Sequence, residues 1–133
     1  FDEQISRATA LARMDDLSDL STSERIERFV AGRIDVYEVT VGVGRMARAR
    51  AVDHADIARA LGRARARWLR QVLIVFRPEL ERFDPAEVPA RAAAIDAVAS
   101  FEAWDLLVGA RAVSRHAVER SWTTAIAALL AVL

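Results

Sequence analysis

The last third of the chain is the segment that most limits what it folds into. Ala94-Ile95-Asp96-Ala97-Val98-Ala99-Ser100-Phe101-Glu102-Ala103-Trp104-Asp105-Leu106-Leu107-Val108 is followed, after a short break, by Ser114-Arg115-His116-Ala117-Val118-Glu119-Arg120-Ser121-Trp122 and the run Ala125 to Leu133. The pattern predicts two consecutive helices, roughly 88 to 109 and 114 to 132. Each carries more apolar surface than one buried face requires. Surplus apolar surface needs a cover, and a second copy of the same pair supplies one by symmetry. The expectation is a homodimer. Its contacts are expected at Phe101, Val108, Val118, Trp122, Ala125, Ile126 and Leu129.

The rest of the chain also reads as helix. The first segment, Phe1 to about Leu17, spaces Phe1, Ile5, Ala8, Leu11 and Ala12 as an amphipathic helix. It has no initiator Met and looks like the interior of a longer protein with a segment upstream. Ser21 with Glu24 forms a capping-box pattern. Ile26, Phe29, Val30, Arg33, Ile34, Tyr37 and Val41 follow at spacings of three and four. Val36 to Gly44 is rich in β-branched residues and favours a strand locally. A strand without a partner is costly, so the stretch is read as the end of a helix closed by Gly42 or Gly44. A short helix over Arg45 to Ala51 comes next. Asp53 is then the expected N-cap of a long helix reaching about Phe76. Pro78, Pro85 and Pro89 mark the main connection, with Asp84 expected as N-cap and Pro85 in the first helical position. Ser114 is the expected cap of the last helix. The fold class is therefore all-α, a bundle of about six helices in a single domain over 1–133.

Bulk properties exclude several functions. The 19 basic residues, all Arg, balance 19 acidic ones. Proteins that grip a nucleic-acid backbone normally carry a basic excess, so the Arg59, Arg63, Arg67, Arg70 stripe reads as a solvated face with Arg stems over apolar neighbours. There is no Cys, which excludes disulfide and thiol chemistry and fits a cytoplasmic location. The apolar run Ala125 to Leu133 is far short of the roughly 20 residues that span a bilayer, so no membrane partner is expected. Gly42-Val43-Gly44-Arg45-Met46-Ala47 matches a dinucleotide-binding pattern, but the strands that pattern requires are missing. Asp53-His54-Ala55-Asp56 reads as a helix start and not as a metal site. No nucleophile, base and acid are grouped, so no enzyme activity, cofactor or metal is expected. The aromatic set Phe29, Tyr37, Trp68, Phe76, Phe101 and Trp104 is large for one chain and suggests either plain core or the wall of an apolar cavity.

The terminal pair, Ala94 to Leu107, Val113-Ser114 and the closing helix with Trp122, Ile126, Leu129 and Leu130, resembles the C-terminal ligand-binding and dimerisation domain of TetR-family transcriptional regulators. Arg63-Ala64-Arg65-Ala66-Arg67-Trp68-Leu69-Arg70 is similar to the Arg-rich long helix of such proteins. Phe1-Asp2-Glu3-Gln4-Ile5 is similar to the helix joining their DNA-binding head to the body. The resemblance implies an all-helical body, a four-helix dimer interface made by the last two helices of each copy, and a small apolar effector bound inside. The ligand site it implies falls on Phe29, Arg33, Tyr37, Met46, Trp68, Val72, Phe76 and Trp104, with Arg33 placed to meet an anionic group. DNA contact would belong to a helix-turn-helix head absent from these residues. The alternative is a stand-alone helical interaction module without a small-molecule ligand.

Overall fold

The computed structural model describes residue 17 and residues 19–131. Among these residues the chain is all-helical, without a strand. The expected opening helix falls on residues outside the described ones, Leu17 excepted.

Helix α1 runs Thr22–Ala51. Its start is set by a reciprocal pair: the Ser21 hydroxyl accepts from the Glu24 N–H, while the Glu24 carboxylate accepts from the Ser21 N–H. The expected end near Gly42 or Gly44 is not found, and no separate helix begins at Arg45. The Val-rich stretch stays helical because one side of it is core. Val36 and Tyr37 are buried and Val41 packs against the same cluster, and tertiary burial outweighs the small propensity penalty of β-branched residues. Thr40 turns its hydroxyl onto the Val36 carbonyl at 2.7 Å, which satisfies it within the helix. The continuous helix also removes the dinucleotide reading of Gly42 to Ala47.

Helix α2 runs Ala55–Val75. Its N-cap position is His54 and not Asp53, and no side chain caps it. The closing turn of α1 has the Asp53 and His54 N–H groups both bonded to the Arg50 carbonyl, which draws Asp53 into that turn. A single turn, α3 (Arg77–Leu80), follows directly. Asp84-Pro85-Ala86-Glu87 forms a turn instead of a helix start, its Asp84 carboxylate accepting from the Ala86 N–H at 3.0 Å. Helix α4 begins later, at Val88–Val98, with Pro89 in its first turn.

The first terminal helix is not continuous. It stops at Val98 and restarts as α5 (Phe101–Trp104), capped by Ser100, whose hydroxyl accepts from the Ala103 N–H. From Trp104 the chain widens into a π-helical turn over Asp105–Ala110. The link to the last helix passes through Ala112, which has φ of 52°. Helix α6 runs Arg115–Leu130 and is capped by Ser114 as expected.

Helix α1 is the spine. It packs on α2, α5 and α6, while α4 packs on α2 and α6. The core is built from Ile26, Phe29, Val30, Ile34 and Tyr37 of α1, Val72 of α2, Ile95 of α4, and Val118, Trp122 and Ile126 of α6. The break at Ala99–Ser100 matters because it frees the Ala99 carbonyl. That oxygen accepts from the Tyr37 hydroxyl at 2.5 Å and from Arg33 Nη1 at 3.3 Å.

Candidate functional site

Tyr37 lies at the centre of an aromatic cluster drawn from four helices. Its ring lies 6.0 Å from Trp68, 5.7 Å from Phe101, 6.0 Å from Trp104 and 6.4 Å from Trp122. The contacts with Phe101 and Trp122 are edge-to-face, the arrangement that ring quadrupoles favour. Burial pushes the Tyr37 phenol up to about 12, against the opposing pull of the Arg33 charge. The hydroxyl therefore stays a donor to Ala99 throughout the ordinary pH range.

Beside it, Arg33 is almost wholly buried, with 1% of its side chain exposed. The guanidinium donates to Asp96 Oδ1 at 2.8 Å and to the Trp68 carbonyl at 2.7 Å, with longer bonds to Gln71 Oε1 and the Ala99 carbonyl. It also lies over the rings of Phe29 and Trp68 at 4.6 and 4.9 Å. A buried charge needs this many partners to offset its lost hydration. These bonds occupy four of the five guanidinium N–H groups, so Arg33 is mainly engaged in holding the cluster together.

The outer wall of the cluster is charged. Arg48 of α1 and Arg65 of α2 both donate to Glu102 Oε1 at 2.7 Å. Arg48 also lies over the Phe101 ring at 4.2 Å. Partial burial pushes Glu102 upward, but the hydrogen bonds from Arg48 and Arg65 prevail and hold it down at about 2. Two narrow clefts of about 30 Å³ each open here. One is lined by Val36, Thr40, Leu61 and Ala64, the other by Asp96 and Ser100. Both are bordered by Tyr37, Arg48, Arg65, Trp68 and Phe101.

Of the residues expected at a ligand site, Tyr37 and Trp68 border both clefts and Arg33 borders one. Phe29, Val72 and Phe76 are fully buried in the packed core, with Phe29 and Phe76 edge-to-face at 5.1 Å. Trp104 is buried against Tyr37 and Phe101, and Met46 is 36% exposed on α1. Of the residues expected at a dimer contact, Phe101, Val118, Trp122 and Ile126 are already used inside one chain, at 5% exposure or less. Little of their surface is left for a partner. Val108, Ala125 and Leu129 are partly buried. The outward surface of α6 belongs instead to His116, Ala117, Arg120, Ser121, Thr124, Ala127 and Ala128, and that of α4 to Pro89, Ala90, Ala93 and Ala97. The sequence reading missed Arg48, Glu102 and the clefts they guard. Only Arg65, interleaved with Trp68 on one helix, carried a local signal.

Among the described residues no three His, Asp or Glu side chains gather in a metal-holding group, and no helix is long and apolar enough to cross a membrane. Comparison of the chain with known protein families, curated proteins and solved structures finds no match.

Proposed function

We propose that this chain is the effector-sensing and dimerisation body of a TetR-like transcriptional repressor. DNA contact would lie in a helix-turn-helix head outside these residues. The observation that carries the reading is the outward face of the terminal helices. On α6 the exposed positions Ala117, Ser121, Thr124 and Ala128 are small, with Arg120 the one charge among them, and on α4 Ala90, Ala93 and Ala97 are exposed together. Small side chains allow helix axes to approach toward the 8 Å end of the usual packing range. A second copy supplies the same face, small and uncharged apart from Arg120, whose long side chain can keep its guanidinium in water at the rim. The zero net charge of the chain agrees with a body that leaves DNA to another domain.

Size-exclusion chromatography with light scattering on Ser121→Arg and Ala128→Glu variants tests the face directly. Both positions are exposed, so the fold is retained, as circular dichroism will show. The reading expects the unaltered chain to elute as a dimer and both variants as monomers. An unaltered oligomeric state in both variants overturns it.

The packing around Tyr37 favours a second reading, a self-associating interaction module without an effector. Arg33 makes four hydrogen bonds within the chain, and each cleft is about a tenth of the roughly 300 Å³ at which ligand pockets begin.

A further inference from the structure

Arg48 and Arg65 come from different helices and close on one oxygen of one carboxylate. Two positive charges face a single negative one, so the cluster carries an excess of +1. The neighbouring ion pairs do not cancel it, because Asp105 is held by Arg45 and Asp96 by Arg33. Behind the charges stands an apolar wall of Tyr37, Trp68 and Phe101. The two clefts share that wall, and Arg48 and Arg65 border both of them. The side chains of Arg65 and Glu102 are about half exposed and that of Arg48 about a quarter. All three are long side chains at the border of the clefts, and a site that joins the two needs them to swing aside.

The geometry points to a binding site for a small carboxylate with an apolar tail. Its carboxylate takes the place of Glu102 between Arg48 and Arg65, and its tail enters the joined clefts against Tyr37, Trp68 and Phe101. Guanidinium groups match a carboxylate in shape and charge. Glu102 is then a built-in stand-in that fills the anion position while no ligand is present. A neutral apolar molecule has no means of displacing it, and leaves the clefts separate and too small. Tyr37 takes no part in holding the anion, since its hydroxyl is bonded to Ala99. The proposal rests on the effector-sensing reading and specifies the chemistry of the effector.

The test uses 4-phenylbutyrate and its neutral isostere 4-phenylbutanamide. Affinity is read by titration calorimetry, and location by the Trp68 indole N–H resonance, assigned with Trp68→Phe. The acid is expected to bind and move that resonance. The amide is expected to bind about tenfold more weakly or worse, because it lacks charge-assisted bonds. Glu102→Gln removes the competitor and is expected to tighten the acid about two- to fivefold, the range a half-exposed ion pair commands. Arg65→Gln is expected to weaken it. Equal binding of acid and amide overturns the anion assignment while leaving a sensing body for a neutral ligand. Failure of Glu102→Gln to tighten the acid overturns the stand-in role. Absence of binding by both probes overturns the site itself. The dimer, measured separately, decides the reading on which the site rests.

Discussion

A Cβ placed on Gly44 would stand 2.6 Å from the ring of Phe101. The ring has nowhere to retreat, because Tyr37 and Trp104 pack against it at 5.7 and 5.6 Å and Arg48 covers its face. Gly44→Ala therefore loses more by overpacking, about 1–3 kcal/mol, than it gains in helix propensity, about 1 kcal/mol. Gly42 lies in the same helix with nothing within 4 Å of its would-be Cβ. Gly42→Ala is expected to stabilise by about 0.5–1 kcal/mol. Urea unfolding of the two variants should give opposite signs; two gains would show that Phe101 is free to move.

Arg33→Met keeps much of the volume and removes the donors. Asp96 loses its cation, and the Trp68 and Ala99 carbonyls each lose a bond. Breaking one side of a buried charged pair typically costs about 3–5 kcal/mol. The partial exposure of Asp96 puts the expected loss near the lower end. The double variant Arg33→Met with Asp96→Ala should lose clearly less than the sum of the single losses, since no carboxylate is then left unpaired. Simple additivity in a thermal or urea series would deny the coupling.

Periodicity in the sequence made the helical class, the Ser21 and Ser114 caps and the identity of the core legible. It did not make the interruptions legible. The strand-like run Val36 to Gly44 is helical because Tyr37 is buried on it, a tertiary fact. The break at Ala99–Ser100 is held by Arg33 and Tyr37, more than sixty residues away. Which residues would face a partner is illegible for a related reason. The pattern shows that a helix is apolar on more than one side, but not which side the chain itself covers. Arg48, Arg65 and Glu102 meet only through the crossing of α1, α2 and α5, so no local spacing announces them.

The buried phenol of Tyr37 makes stability depend on pH at the alkaline end. Its pKa is raised from 10.0 to about 12 on folding. A raised value means that its contribution is fully present below pH 10 and is lost as pH rises from 10 toward 12. Tyr37→Phe forfeits the bond to Ala99, costing about 1 kcal/mol at neutral pH. The gap between the two proteins should hold steady up to pH 10 and shrink above it. A gap that widens with alkali would contradict a buried neutral phenol.

Ala112 holds a left-handed backbone conformation, with φ of 52°, at the turn into α6. That conformation costs an L-residue about 1–2 kcal/mol, and glycine adopts it freely. The side chain is exposed, so nothing is lost from the core. Ala112→Gly is expected to raise stability by about 1 kcal/mol, read as a higher urea midpoint with unchanged slope.

Sedimentation velocity on the unaltered chain at micromolar concentration decides whether the terminal helices self-associate. A dimer gives a single boundary at twice the 14.7 kDa chain mass, 2 × 14.7 = 29.4 kDa, and that is the expected result. A boundary at 14.7 kDa across that concentration range contradicts it.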